Sequence, residues 1–303
     1  MLPPSVEESI AEIAGDHTSG ASRIARLALE TMALLVVEEK GRPGGKDLAE
    51  AARRISEAQP AMAVVHNVAH LFAQLVGEGH APLDVRAQLL AELDTARERI
   101  GQTYLKIVPD HASIVTTSFS DNVLACLQAA HAKGRISQVT VLESRPLLEG
   151  RFLVIALQEA GIPARLAADG LGPSLVEEAS AVLIGADGVL RDGAVVNKIG
   201  SYGLALGAKA HGKPFHVACE TLKFDARHDA ASWPGSPPMN PREVWENPPA
   251  SVDVVNRYFE LVPASLVTMI VTERGSYSPD IVRTMMAQAN RGRFRTAEKD
   301  ADP

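Results

Sequence analysis

The sequence predicts an α/β protein: an N-terminal α-helical domain over residues 1–110, then a doubly wound parallel sheet over residues 111–303. Three observations predict it. From Val6 to about Ile107 apolar residues recur at three- and four-residue spacing, the period of a helix with one buried face. After Pro109 the pattern changes to short β-rich runs separated by helical stretches, the alternation that builds a layered α/β domain. Those runs are almost continuously apolar, as strands covered on both faces require.

In the helical half, IAEIAG, SRIARLALETMALLVVEE, KDLAEAARRISEA, AMAVVHNVAHLFAQLVGEG and PLDVRAQLLAELDTARERIGQTYLKIV read as about five helices, with GRPGG and GEGHAP as breaks. The strand candidates that follow are SIVTTS (113–118), QVTVLES (138–144), PARLAA (163–168), AVLIGAD (181–187), PFHVACE (214–220) and LVTMIVTE (266–273). Between them NVLACLQAAHAKG, LEGRFLVIALQEAG and GLALGAKAHG each close on glycine, as helix ends prefer. VLRDGAVVN reads as a hairpin with a two-residue Asp-Gly turn, in which Asp192 and Gly193 have only a conformational role. WPGSPPMNPREVWENPP is too rich in proline for regular structure and reads as a loop at the surface or at an oligomer contact.

The chain has 303 residues, 46% hydrophobic and 22% charged, with a formal net charge of -7, the composition of a globular protein. The acidic balance offers no surface for nucleic acid, and the basic cluster RGRFR at 291–295 reads as a solvated tail. The N-terminus lacks a basic segment followed by an apolar one and no run reaches the length of a membrane span, which predicts a cytoplasmic protein. Cys126 and Cys219 lie in apolar segments and are expected to be buried free thiols. His66 and His70 are four apart in HNVAH, but Asn67 stands where a metalloprotease helix needs Glu. No metal site is expected.

In an open parallel sheet ligands bind at the carboxyl ends of the strands. The polar residues there are Thr117, Ser118 and Ser120 after the first run, Glu143, Ser144 and Arg145 after the second, Asp187 after the fourth, and Glu220 and Lys223 after the fifth. Converging carboxylates, cations and hydroxyls suit a small, polyhydroxylated, anionic ligand. NKIGSYGLALGAKA passes through two glycines into a helix, so backbone N–H groups and the positive helix end are expected to face whatever Lys198 approaches. SGASR at 19–23 reads first as a helix cap and second as a backbone anion site.

GADGV followed by NKIGSYGLALGAKAHGKPFHVACETLKF, with ESRPLLEG upstream and VPASLVTMIVTERG downstream, resembles the regulatory α, β and δ subunits of eukaryotic translation initiation factor 2B. That family shares its fold with methylthioribose-1-phosphate isomerase and ribose-1,5-bisphosphate isomerase. The resemblance covers roughly residues 112–285 and extends more weakly to SGASRIARLAL. It implies a helical domain joined to a Rossmann-like domain, a homodimer or higher homo-oligomer, and a site between the domains for a phosphorylated sugar or nucleoside monophosphate. No cofactor is expected.

In the isomerases a Cys and an Asp convert an aldose 1-phosphate to a ketose 1-phosphate. By resemblance Asp187 matches that Asp, Asn197 and Lys198 match the substrate-holding pair, Arg145 fits the ESRP segment, and Gly20 and Arg23 match the isomerases' RGAGR loop. The departures are informative. Ser118 stands where the isomerases carry Cys, and a thiol, with pKa about 8.5, exchanges protons near neutrality far more easily than a hydroxyl. Ser19 replaces the first Arg of RGAGR, and Gln59 with Pro60 replaces a later Arg-Pro. Two charge-assisted phosphate contacts of about 1.5–3 kcal/mol each are missing, which disfavours a bisphosphate. The resemblance thus implies an initiation factor 2B-like binding protein without the isomerase Cys. The alternative is a divergent aldose–ketose isomerase using Asp187, with Ser118 in the thiol's place.

Overall fold

The computed structural model describes residues 2–16, 19–39 and 44–288. RGRFR at 291–295, and Arg42 and Pro43 of the GRPGG break, lie outside the described residues. The chain divides into two compact units, Met1–Arg97 and Glu98–Pro303.

The first unit is helical: α1 (Pro4–Gly15), α2 (Ala21–Glu38), α3 (Gly45–Ala58), α4 (Ala63–Gly77) and most of α5 (Pro82–Tyr104), which continues into the second unit. The apolar stripes read from the sequence become its core, with Ile24, Leu29, Met32, Leu35, Ile55, Val65 and Phe72 fully buried. Charged residues occupy the outer faces and pair there at helical spacing, as Arg53 does with Glu50 and Glu57.

The second unit carries a seven-stranded sheet in the order β11-β10-β7-β4-β1-β2-β3. Its strands are β1 (Ala112–Thr117), β2 (Ile136–Leu142), β3 (Ala164–Ala167), β4 (Ala181–Ile184), β7 (Phe215–Ala218), β10 (Met269–Thr272) and β11 (Gly275–Tyr277). All pairings are parallel except that of β11 with β10. The crossover helices include α6 (Asp121–His131), α7 (Gly150–Glu159), the short α8 (Gly172–Leu175) and α9 (Ser201–Ala210). Positive-φ glycines follow α6, α7 and α9 at Gly134, Gly161 and Gly212. The order reverses between β1 and β4, so the crevice at that switch point opens where both carboxyl ends emerge.

A second, four-stranded sheet, β8-β5-β6-β9, is built from β5 (Gly188–Leu190), β6 (Val195–Lys198), β8 (Phe224–Asp225) and β9 (Phe259–Val262). The β5–β6 hairpin differs from the expectation. Leu190 and Ala194 still hydrogen-bond, so the loop is the three residues 191–193, with Gly193 at φ 85°, a form that needs glycine in the left-handed position. Asp192 also has more than a conformational role: one oxygen accepts from the N–H of Ala194 and the other from that of Ala230. It ties the hairpin to the segment just before the proline-rich excursion, in which a single 3-10 turn, Pro241–Glu243, is the regular element among residues 233–249.

Candidate functional site at the carboxyl ends of the strands

Two residues at the ends of β1 and β2 are held in an unfavourable conformation. Ser118 (φ 63°) and Ser144 (φ 64°) are both left-handed without being glycine, at a cost of about 1–3 kcal/mol each, which clusters at functional sites. The Ser144 hydroxyl locks them together. It accepts the Ser118 N–H at 2.6 Å, bonds the Thr117 hydroxyl at 3.0 Å, and donates to the Leu142 carbonyl at 3.1 Å. Asp169, after β3, accepts the N–H groups of Ser144 and Arg145, both at 2.7 Å. The loops after three neighbouring strands are thereby fixed to one another.

Asp187 emerges from β4 through Gly185 and Ala186, its N–H bonded to the Val196 carbonyl. Its carboxyl is pushed up to about 6 by burial, against the pull of Lys223 and Lys198 and with the help of Glu149 and Glu220. These four residues form two ion pairs beside it. Lys198 Nζ lies 2.5 Å from Glu149 Oε1, with only 6% of the lysine side chain exposed. Lys223 Nζ lies 3.3 Å from Glu220 Oε2, the side chains 6% and 4% exposed. Burial alone would raise Glu220; Lys223, a backbone N–H and Asn122 more than offset it and hold the carboxyl below its usual range. Burial would likewise lower Lys223, and Glu220 and Asp187 raise it instead.

The cluster retains unsatisfied acceptors. Glu149 Oε2 and Asn122 Oδ1 are buried with no hydrogen-bond partner among the described residues, each a cost of about 1–3 kcal/mol that a donor would remove. Glu149 reaches this place because Gly150 starts α7 against the end of β2: a β-carbon on Gly150 would come within 1.8 Å of the Leu142 carbonyl oxygen. Asn197 donates to the Ser201 hydroxyl at 2.8 Å, and Ser201 donates to the Lys198 carbonyl at 2.7 Å. This bracket holds the end of β6 against the start of α9.

The structure thus brings together Asp187, Asn197 and Lys198, with Glu220 and Lys223. Other expectations change. The start of α9 does not face an open space beside Lys198: the Glu260 carboxylate accepts the Tyr202 N–H at 2.8 Å and the N–H groups of Gly200 and Ser201 as well. The helix end is satisfied from within the protein. Ser118 lies at the end of β1, part-buried, and its hydroxyl bonds no base among the described residues. Arg145 is exposed, and its guanidinium donates to the carbonyls of Glu243 and Val244 in the excursion, at 3.1 and 3.0 Å. Glu143 turns toward Arg151, 3.9 Å away.

In the helical unit SGASR supplies the N-cap of α2, the exposed Gly20, which caps through its backbone carbonyl and not through a side chain, and Arg23 is exposed in the first turn. Gln59, in place of an arginine of the isomerases, donates to the carbonyls of Ile13 and Asp16 at 2.7 and 3.0 Å and so secures the end of α1. The His66 and His70 rings stack with centroids 3.9 Å apart, both in reach of the Ser56 hydroxyl. Cys126 and Cys219 are buried free thiols that burial pushes up in pKa. Among the described residues no group of three or more His, Cys, Asp or Glu could hold a metal ion, and no helix is long and apolar enough to cross a membrane.

Sequence reading missed Glu149, Asn122, Asp169, Glu243 and Tyr258. Tyr258, 4% exposed, lays its ring over Lys198 with Nζ 4.7 Å from the centroid. Its hydroxyl donates to the Glu243 carboxylate at 2.7 Å. Glu149 was within the quoted segment ESRPLLEG, where a carboxylate directly before a glycine-led helix was the available signal. Nothing local marks Tyr258.

Known proteins resemble this chain over most of its length. The chain is 30% identical to a ribose 1,5-bisphosphate isomerase of Haloterrigena turkmenica, over 95% of this chain and 94% of that one. It is 34% identical to a methylthioribose-1-phosphate isomerase of Heliobacterium modesticaldum, over 71% of this chain and 67% of that one. The crystal structure of the translation initiation factor eIF-2B of Pyrococcus horikoshii superposes with a TM-score of 0.81 at 27% identity, covering 92% of this chain and 98% of that one. The profile of the Initiation factor 2 subunit family matches residues 17–279, and the chain belongs to that family.

Proposed function

We propose that the sheet unit binds a small phosphorylated sugar or nucleoside monophosphate at the carboxyl ends of its strands, with Asp187, Asn197 and Lys198 meeting the ligand. The observation that carries this reading is the Asp187 cluster: two ion pairs with buried lysines around a carboxyl near pKa 6, with Glu149 Oε2 and Asn122 Oδ1 awaiting donors. Sugar hydroxyls are such donors, and the relatives named as isomerases of phosphorylated ribose derivatives support the ligand class. By resemblance to the isomerases, Gln59 in the place of an arginine supports one phosphate rather than two. Homo-oligomerisation belongs to the same proposal and is read by light scattering with and without ligand.

A second reading, aldose–ketose isomerisation, is favoured by the Asp187 carboxyl, which at about 6 can both give and take a proton near neutrality. Isomerisation of an aldose 1-phosphate breaks the ring C1–O4 bond and forms a carbonyl at C2: the C2 proton is removed and one is returned to C1, while the O2 hydroxyl gives up its proton and O4 takes one. Asp187 can serve one of these transfers; Ser118, without a base, is poorly suited to the other.

Thermal unfolding with ribose 1-phosphate, ribose 1,5-bisphosphate, methylthioribose 1-phosphate and AMP tests both readings. Binding at a hundredfold excess over Kd raises Tm by about 4 °C for a chain of this size, more for the monophosphates than for the bisphosphate, and Lys198→Ala removes the rise. Absence of any shift across the panel rejects the binding reading. NMR of the incubated sugars then shows a ketose, abolished in Asp187→Asn, if the second reading holds; unchanged sugars reject it.

A further inference from the structure

We infer that Glu243 and Tyr258 are positioning residues for Lys198: the proline-rich excursion is latched to the site so that the Tyr258 ring fixes the lysine ammonium. The latch has three parts. Arg145 donates to two carbonyls of the excursion, at Glu243 and Val244. Asn256 donates to Glu243 Oε2 at 2.8 Å and to the Asn240 carbonyl at 2.7 Å, which fixes where the Glu243 side chain points. Glu243 then takes the Tyr258 hydroxyl between both carboxylate oxygens. A phenol held at its tip by a carboxylate keeps its ring in place beside Nζ.

The arrangement holds the ammonium from two directions, by Glu149 Oε1 and by the π face. A cation over an aromatic ring is attracted by about 0.5–2 kcal/mol, the upper value where water is excluded, as at this buried lysine. Burial, with the neighbouring carboxylate, also pushes the Tyr258 phenol well up, so it stays a hydrogen-bond donor throughout the neutral range. The latch uses residues 240–244 and 256–258, which lie beyond the strand-end residues in sequence, and Arg145, which reaches them from the loop after β2. Arg145, expected at the ligand, acts here through the excursion. The inference rests on the reading that Lys198 meets the ligand, but its test needs no ligand.

The test is competitive acetylation of the full chain with trace acetic anhydride, the rate at each lysine read by peptide mass spectrometry. Lys223, buried beside Glu220, is the internal control. In Tyr258→Leu and Glu243→Ala the rate at Lys198 rises about tenfold, the equivalent of losing one desolvated cation–π contact, while the rate at Lys223 stays within twofold. Tyr258→Phe, which keeps the ring, and Glu243→Gln, which keeps an acceptor, rise about two- to threefold at Lys198 alone. These conservative variants decide the matter if the others do not fold. An unchanged Lys198 rate in all folded variants, or a parallel rise at Lys223, overturns the inference. Loss of ligand binding with these labelling rates intact would instead count against the proposed function.

Discussion

The ion pairs of the helical unit and those of the sheet unit are made of the same groups and do different things. Arg86–Glu30 and Arg26–Asp94 lie on the outside of the helices with a third or more of each side chain in water, where solvent screens them and each contributes little. Lys223–Glu220 is nearly dry, and Lys198 is buried against a Glu149 whose side chain is 20% exposed; the desolvation of the buried ions rivals their attraction, and stability alone does not favour keeping them. Buried charge retained at that cost points to chemistry. It also leaves Asp187 as an odd carboxylate, whose proton is then available at neutral pH.

The largest test of this contrast is Lys223→Met, which takes away the cation beside the buried Glu220 carboxylate. A loss of about 3–5 kcal/mol in urea unfolding is expected, with most of it recovered in Glu220→Leu/Lys223→Met. If the single variant were as stable as the parent, the pair would not be buried as described.

Next comes pH. The folded Asp187 carboxyl is raised from 3.8 to about 6, so between about pH 4 and pH 6 the folded state keeps a proton that the unfolded state has released. The group's contribution therefore falls as pH rises through that window and stays low above it. Asp187→Asn cannot lose that proton. From pH 4 to pH 7 the stability difference should move in the variant's favour by about 2–3 kcal/mol, and parallel curves would show an ordinary carboxyl.

Gln59→Leu tests the helical unit's own buried polar contact. Leaving the Ile13 and Asp16 carbonyls without a donor should cost about 1–2 kcal/mol, with ligand-induced shifts in Tm unchanged. Smallest of all, Arg86→Ala should lower Tm by under about 1 °C and do so less in high salt. A larger drop would put the surface pairs on a par with the buried ones.

The same contrast explains what was legible in the sequence. The α/β architecture was, because helical spacing before Pro109 and apolar runs after it are local patterns. Exposed pairs at three- and four-residue spacing are local too. Asp187, Asn197 and Lys198 stood out through glycine-bounded motifs shared with a family. Their partners did not: Glu149 is 49 positions before Lys198, and Tyr258 reaches it only because β9 pairs with β6, Phe259 opposite Lys198. Arg145 had the right chemistry for an anion, yet the excursion's carbonyls claimed it. The Glu260 cap on α9 was equally hidden, since it too comes across the β6–β9 ladder.

Gly150 separates placement from chemistry. With the carbonyl of Leu142 so close that only a hydrogen fits, the backbone at that turn has one course, and the side chain of residue 149 is delivered to the same spot whatever it is. Exchanging the acid at 149 for its amide therefore alters the charge facing Lys198 while the backbone that carries it keeps its course.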